Sequence, residues 1–146
     1  MVVLQSYTPL VVAALSLALA GPVVASDLPG PVPARVERVV DGDTVRVAAE
    51  IWVGQTVSIS VRLRGVDAPE LFRPKCPAEK EKARAAKAFV EGFLAGGEVS
   101  LMEIEHDKYG GRVVARMENG DGEDAGAALI AAGLAVPYGA DKPWCG

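Results

Sequence analysis

The stretch Val57-Ser58-Ile59-Ser60-Val61-Arg62-Leu63-Arg64 decides the fold of this 146-residue chain, because it alternates apolar and polar residues without a break. Successive side chains of a β-strand point to opposite faces, so the four apolar residues at odd positions are predicted to face a core. The four polar residues at even positions then face solvent or a cleft. The stretch therefore predicts a strand with one buried face and one polar face that carries two arginines.

Further strands and two helices are predicted on either side of this strand. Upstream, the β-branched runs Val36–Val40 and Val45–Val47 flank Asp41-Gly42-Asp43, and Asp-Gly between such runs predicts a hairpin because both residues accept positive φ. Downstream, apolar periodicity and Pro77 at its start predict a helix from Pro77 to about Leu94, followed by strands at Glu98–Glu105 and Arg112–Glu118. A second helix is predicted at Ala125–Ala132, between the capping residue Asp124 and Gly133. It is apolar nearly all round.

The predicted order is three strands, a helix, two strands and a helix, which is a mainly β arrangement with helices. The order lacks the strand-helix alternation of a doubly wound parallel sheet. Antiparallel strands that close on themselves, with a helix after the third, predict a five-stranded OB-fold-type β-barrel with a short buried helix after strand five. Barrels of this type bind nucleotides or sugars, or have no catalytic role, so the fold alone decides no function.

The chain begins with an apolar segment. No charged residue precedes Asp27, and Val23-Val24-Ala25 places small residues where signal peptidase reads them, so residues 1–25 are predicted to be a secretory signal. The absence of Lys and Arg from Met1–Tyr7 leaves an uncleaved anchor as the alternative, which Pro22 disfavours. We therefore expect an exported protein, periplasmic or extracellular, with no stable membrane anchor after signal cleavage and no obligate protein partner.

The remaining chain is predicted to be a proline-rich linker at residues 26–34 followed by one domain at residues 35–146. It contains two cysteines, Cys76 and Cys145. An even pair in an exported chain normally forms a disulfide, which here would pin the C-terminus. Two free thiols are the alternative, and a metal site is disfavoured because the chain has one histidine.

The formal net charge is -4, and residues 1–25 contribute none of it. Non-specific affinity for nucleic acids comes mainly from Lys and Arg that neutralise phosphates. The acidic balance therefore argues against a protein that coats a polyanion. Any chemistry on nucleic acids has to depend on local positive charge or on a bound cation.

Three polar clusters each adjoin an apolar strand: Asp41 to Thr44, Arg62 to Glu70, and Asp107 to Arg112. Each alone could be a turn or a solvated face. Together they contain the parts that phosphodiester hydrolysis needs, namely carboxylates suited to Ca²⁺, guanidinium groups that grip phosphate oxygens, and a carboxylate that can orient or deprotonate water.

The runs Val40–Val45, Val61–Glu70 and Asp107–Arg112 resemble the three signature segments of the staphylococcal nuclease (thermonuclease) family, in the same order and at compatible spacing. The resemblance covers about Arg35 to Tyr138. It implies a five-stranded barrel that hydrolyses DNA and RNA at the 5′ P–O bond and depends on Ca²⁺.

By position, the resemblance implies that Asp43, Asp67 and the backbone carbonyl of Ala68 bind Ca²⁺. It implies that Asp41 tunes this metal site from nearby. Glu70 matches the proposed general base of the family.

The resemblance also implies that Arg62 and Arg112 hold the phosphate and stabilise the transition state. Lys108 and Tyr109 match residues near the terminal phosphate of a nucleotide. Arg64, on the same strand as Arg62, is a further candidate for substrate binding.

The chain departs from the family pattern at two places. Gly111 is an extra residue before Arg112, although counting back from Val113 to Ala115 keeps this arginine in register. The chain also lacks the basic C-terminal helix of the best-known members, and our hypothesis is that the cysteine bridge replaces it as the device that fixes the C-terminus.

Other residues and functions are weaker candidates. We expect His106 to be a loop or strand-end residue, and Trp52 and Trp144 to pack rather than stack on bases. The alternative function is a non-catalytic module that binds nucleic acid or a protein partner. A third hypothesis, a structural or oligosaccharide-binding barrel, depends on the fold alone.

Overall fold

The computed structural model describes residues 1–2 and 27–146, so nearly all of the predicted signal segment lies outside the described residues. Within the described part, no helix is long and apolar enough to cross a membrane. The elements in chain order are β1 (Asp27–Leu28), β2 (Val32–Asp41), β3 (Thr44–Trp52), β4 (Gln55–Leu63), β5 (Val66–Asp67), α1 (Pro77–Phe93), β6 (Glu98–His106), β7 (Arg112–Glu118), α2 (Ala125–Ala131) and β8 (Val136–Pro137).

Five of these strands close into a barrel. They pair in the order β6-β2-β3-β4-β7, and β6 pairs with β7 to complete the ring. The predicted five-stranded barrel, with a helix after its third strand and another after its fifth, is confirmed. One pairing was predicted wrongly, because β4 and β7 run parallel. A parallel pair needs a crossover of roughly a dozen residues or more, and α1 and β6 supply it between these strands.

The apolar face of β4 enters the barrel core, as its alternation predicts. Val61 and Leu63 are almost completely buried, together with Val45 and Val47 of β3. Val57 is an exception, since it is 40% exposed. It lies near the tip of the β3–β4 hairpin, and β4 gains its second neighbour, β7, only from Ser60 onward.

Trp52, at the tip of the same hairpin, does not pack as expected. Its side chain is 72% exposed at the end of β3 and does not pack into the core. Trp144 does pack as expected, because it is 7% exposed and lies beneath Lys82, whose Nζ is 5.0 Å from the ring centroid.

The segment predicted to be a linker takes part in the sheet. β1 pairs with β6, and β2 already begins at Val32, opposite Leu101 of β6. Pro33 is tolerated in this strand because β2 pairs with β3 only from Ala34 onward, so at Pro33 it has a partner on one side.

The helices cover the barrel beside the cleft described below. α1 buries Ala83, Ala86 and Val90 as its periodicity predicts, and Phe89 and Phe93 stack with their centroids 6.0 Å apart.

The second helix is capped as predicted but less buried than predicted. The Asp124 carboxylate accepts a hydrogen bond from Ala127 N at 2.7 Å, and Gly133 follows the helix with a φ of 70°. One side of α2 packs on β7 and α1, while Ala127 stays exposed because it lies on the opposite side.

The predicted disulfide is present between Cys76 and Cys145, so the alternative of two free thiols is wrong. Cys76 is the N-cap residue of α1, and Cys145 lies one residue before the C-terminus. The bridge therefore fastens the end of the chain to the start of this helix.

Candidate functional site

The three polar clusters meet in one open cleft of about 920 Å³ on the outside of the barrel. Although they lie far apart in sequence, all ten predicted binding, catalytic and metal-site residues line this cleft: Asp41, Asp43, Arg62, Arg64, Asp67, Ala68, Glu70, Lys108, Tyr109 and Arg112. The arrangement brings carboxylates and guanidinium groups to one place.

Strand register places the two key arginines on the same face. Arg62 of β4 lies opposite Val114 of β7, and Arg112 lies opposite Ser60. Since side chains alternate along a strand, both arginines point away from the core that holds Val61. The extra Gly111 does not displace Arg112, because this glycine turns the chain with a φ of 76° and β7 begins at the next residue.

The turn between β2 and β3 carries two carboxylates. Asp43 Oδ2 accepts a hydrogen bond from Ala68 N at 3.1 Å, and Asp43 Oδ1 accepts one from Thr44 Oγ1 at 3.1 Å. Asp41 Oδ1 accepts a hydrogen bond from Asp43 N at 3.1 Å. These bonds hold Asp43 against the segment that carries Ala68.

Gly42 has a different structural role from the predicted one. It does not adopt a positive φ. Instead, a Cβ at this position would lie 2.7 Å from Ala86 Cβ on α1 and 3.0 Å from Ala68 Cβ. The glycine is required because the turn packs directly on the helix and on the Ala68 segment.

Replacing Gly42 by alanine is expected to lower the free energy of unfolding by about 1–3 kcal/mol, the usual cost of overpacking. The matched control is Gly96→Ala, since a Cβ at Gly96 meets nothing within 4 Å. Urea denaturation followed by circular dichroism measures both variants. Equal midpoints for the two variants would contradict the steric role of Gly42.

Asp67 is 7% exposed and receives donors from two parts of the chain. Its Oδ1 accepts a hydrogen bond from Arg62 Nη2 at 2.8 Å. Its Oδ2 accepts one from Gly139 N at 3.0 Å and lies 3.6 Å from Lys142 Nζ. Arg62 Nη2 is also 3.8 Å from Asp43 Oδ2. One guanidinium group therefore lies between the two carboxylates predicted to bind a cation.

Asp41 is a half-buried carboxylate beside Asp43 in the β2–β3 turn. Burial, the charge of Asp43 and a side-chain hydrogen bond with Asp43 raise the pKa of Asp41 to about 6, although hydrogen bonds from the Asp43 backbone N–H and the Thr44 side chain act in the opposite direction. A nearby cation would favour the ionised form and lower this pKa.

The donors in the cleft suit a hard cation. Ca²⁺ binds carboxylate and carbonyl oxygens together with water, and Asp43, Asp67 and the Ala68 carbonyl offer such oxygens. Within residues 1–2 and 27–146, no three His, Cys, Asp or Glu side chains gather as a ready metal cluster. A cation held by Asp43 and Asp67 would take its other ligands from a backbone carbonyl and water.

Arg112 is held at the other side of the cleft. Its Nε donates a hydrogen bond to Asp107, and its guanidinium carbon lies 5.2 Å from the centroid of the Tyr109 ring. Burial alone would raise the pKa of Asp107, but the hydrogen bond and charge of Arg112 outweigh burial and hold this pKa below its ordinary value. Lys108 Nζ also lies 5.2 Å from the Tyr109 ring, which is 59% exposed.

Arg64 lines the cleft but is engaged by β6. Its Nε and Nη2 donate hydrogen bonds to the Glu103 carbonyl at 3.2 and 2.6 Å, and its Nη1 lies 3.0 Å from Glu105 Oε1. The structure thus gives Arg64, the residue that follows β4, a role in joining this part of the chain to β6. Its binding of substrate stays a prediction.

The C-terminal tail contributes residues that the sequence did not reveal. Tyr138 lies beneath Arg62, with its ring centroid 5.1 Å from the guanidinium carbon, and Gly139 and Lys142 contact Asp67. The tail has no periodicity that places it in the cleft. The one usable signal was Cys145, whose bridge to Cys76 brings the tail near the segment that carries Glu70.

Glu70 and His106 also line the cleft. Glu70 is exposed in the cleft, and its backbone N–H donates to Glu79 Oε1 at 3.1 Å. Glu79 is a buried carboxylate that the sequence analysis did not single out. His106 is the last residue of β6, a strand-end position as expected, and also lines the cleft.

Fold and site together define a class: a small OB-type barrel whose outer face gathers arginines and carboxylates in one cleft. Residues 60–145, more than half of the chain, match the family described as staphylococcal nuclease homologue. The chain belongs to this family, whose domains are nuclease-like or bind nucleic acids. A search of curated proteins finds no match.

Proposed function

We propose that this protein is an exported, Ca²⁺-dependent nuclease that hydrolyses phosphodiester bonds in DNA and RNA. The observation that carries the proposal is the position of Arg62 and Arg112 in the same cleft as Asp43, Asp67 and Glu70. Family membership supports action on nucleic acids. Because the net charge is -4, binding has to depend on this local group of cations rather than on the whole surface.

The two arginines bind and neutralise the phosphate in this proposal. A guanidinium group can donate two parallel hydrogen bonds to phosphate oxygens, and such donors are most effective where negative charge develops in the transition state. Asp107 engages Nε of Arg112, an arrangement that presents its Nη groups to a phosphate. Tyr109 packs against the same guanidinium and keeps it in place.

Glu70 acts as the general base in the proposed reaction. Its carboxylate takes a proton from water while the water oxygen forms a bond to phosphorus. The 5′ P–O bond breaks, as the family resemblance implies, and the leaving 5′ oxygen takes up a proton from solvent water. One fragment then ends in a 3′-phosphate and the other in a 5′-hydroxyl.

The carboxylates of Asp43 and Asp67 and the carbonyl of Ala68 would hold Ca²⁺, with Asp41 beside them. Bound there, Ca²⁺ supplies positive charge next to the phosphate and favours ionisation of water. The position of Asp41 supports this assignment, because its carboxylate lies in the same turn as Asp43 and accepts a hydrogen bond from the Asp43 N–H at 3.1 Å.

Export is supported by the sequence and by the disulfide. Residues 1–25 have the pattern of a secretory signal. Disulfides persist in oxidising compartments such as the periplasm and the cell exterior, and Cys76 and Cys145 are joined.

Digestion of plasmid DNA and of RNA by the purified protein tests the proposal. We expect cleavage of both substrates with Ca²⁺ and none when EGTA removes it. The product ends, assayed by phosphatase treatment and end-labelling, should be 3′-phosphates. Cleavage that persists in EGTA would contradict the metal requirement. Tight, metal-independent binding without any cleavage would instead establish a non-catalytic module.

A further inference from the structure

We propose that Glu79 is a positioning residue for Glu70, an inference that rests on the proposed function. Glu79 lies in the first turn of α1 and is 3% exposed. Its Oε1 accepts a hydrogen bond from the backbone N–H of Glu70 at 3.1 Å, and its Oε2 accepts one from the N–H of Lys75 at 2.6 Å. One carboxylate thus fastens both ends of the segment from residue 70 to residue 75.

The start of α1 fixes this carboxylate. Cys76 is the N-cap residue, and its Sγ accepts a hydrogen bond from Glu79 N at 3.4 Å. The negative charge of Glu79 lies in the first helical turn, where the helix dipole favours it. Cys76 is itself bonded to Cys145, so the helix start is tied to the end of the chain.

Burial of Glu79 is informative because a buried carboxylate is costly unless it is fully hydrogen-bonded. An apolar residue at this position could pack α1 on the barrel without that cost. The two oxygens of Glu79 are directed to the backbone of the segment that carries Glu70. Hydrogen bonds to an ionised acceptor are roughly twice as strong as neutral ones, so they suit a fixed loop.

The Glu70 side chain depends on this loop for its position. Glu70 is exposed in the cleft, and Phe72 and Arg73, within the loop, are exposed as well. Leu71 and Pro74 are half-buried, so packing holds the middle of this segment in part, and the two hydrogen bonds to Glu79 anchor its ends. Since misplacing a catalytic group by about 1 Å can cost roughly 10²-fold in rate, Glu79 should influence turnover without touching substrate.

The test compares Glu79→Gln with Glu81→Gln, a matched variant two residues along the same helix whose exposed carboxylate pairs with Arg84. In Glu79→Gln the amide nitrogen faces a backbone N–H, so one anchor is lost. We expect kcat to fall about tenfold or more with KM nearly unchanged, and Glu81→Gln to match the wild type. An unchanged kcat in folded Glu79→Gln would overturn the proposal.

Amide hydrogen exchange gives a second readout that does not require catalysis. In the wild type, the Glu70 and Lys75 amides should exchange more slowly than those of Phe72 and Arg73 between them, and Glu79→Gln should remove this protection at one of the two anchored amides. Equal exchange at the four amides of the wild type would overturn the anchoring even if Glu79→Gln fails to fold. Absence of cleavage by the wild type, with protection present, would refute the proposed function and leave the anchoring intact.

Discussion

Replacing Arg62 by alanine is expected to lower kcat by about 10²-fold or more, the usual cost of removing one good donor to a developing charge. The same change should leave Ca²⁺ affinity equal or higher. Arg62 lies 2.8 Å from Asp67 and 3.8 Å from Asp43, so it already neutralises the two carboxylates predicted to bind the metal. Without it, their negative charge is more available to a cation. Single-turnover DNA cleavage and calorimetric Ca²⁺ titration measure the two effects.

Two further variants sharpen this experiment. Arg62→Lys keeps the charge but loses the planar fork, so we expect it to recover little of the lost rate. Arg46→Ala is the control, because Arg46 lies on β3, outside the residues that line the cleft, and pairs with Glu37 at 3.4 Å. Wild-type kcat in Arg62→Ala would contradict a role in phosphate binding. A parallel loss of Ca²⁺ binding would show instead that Arg62 supports the Asp67 carboxylate.

The barrel could be predicted because its strands carry a local signal. Val61 and Leu63 are buried and Arg62 is not, as a period of two requires. The same rule was wrong at Val57, since burial there depends on whether a neighbouring strand covers the hairpin tip. The interpretation of residues 26–34 as a linker, which rested on their prolines, missed the start of β2, because Pro33 is compatible with a strand that has a partner on only one side. Which strands lie beside a given strand is decided by the tertiary structure, and the alternation of apolar and polar residues does not reveal it.

The turn at Gly42 shows a second limit of prediction from local sequence. Its Asp-Gly composition predicted the hairpin correctly, but the steric reason for the glycine is its close approach to Ala86 of α1, 44 residues further along the chain. The turn preference of Asp-Gly predicted the hairpin, but it could not predict that the hairpin packs on α1. The parallel pairing of β4 and β7 has the same origin, because it follows from how the barrel closes.

The predicted residues of the cleft lie in short runs whose composition is unusual for a surface, which is why they could be found. The missing partners lie elsewhere. Gly139 N donates to Asp67 across 72 residues, and the disulfide between Cys76 and Cys145 ties the same tail to the start of α1. Glu79 was missed for another reason, since Glu79, Lys80 and Glu81 together resemble a solvated helix face. Only the structure shows that the first of them points inward.

Replacing Glu70 by glutamine should have the second large effect on catalysis. The change removes the proposed general base while preserving size and shape, and general-base catalysis contributes about 10²–10⁴-fold to rate. Because the Glu70 side chain is exposed and its anchoring hydrogen bond comes from the backbone N–H, the free energy of unfolding should change by less than about 0.5 kcal/mol. Single-turnover cleavage at saturating Ca²⁺, with urea denaturation of the same sample, measures both quantities.

The matched control is Glu105→Gln, which removes a carboxylate that lines the same cleft and pairs with Arg64 at 3.0 Å. If Glu70 acts only by adding negative charge to the cleft, the two variants should lose similar rate, and its role as a base is wrong. If Glu70 helps to bind the metal, the lost rate should return at high Ca²⁺ concentration. A loss confined to Glu70→Gln that no Ca²⁺ concentration restores is the result expected of a base, because proton transfer from water needs the carboxylate itself.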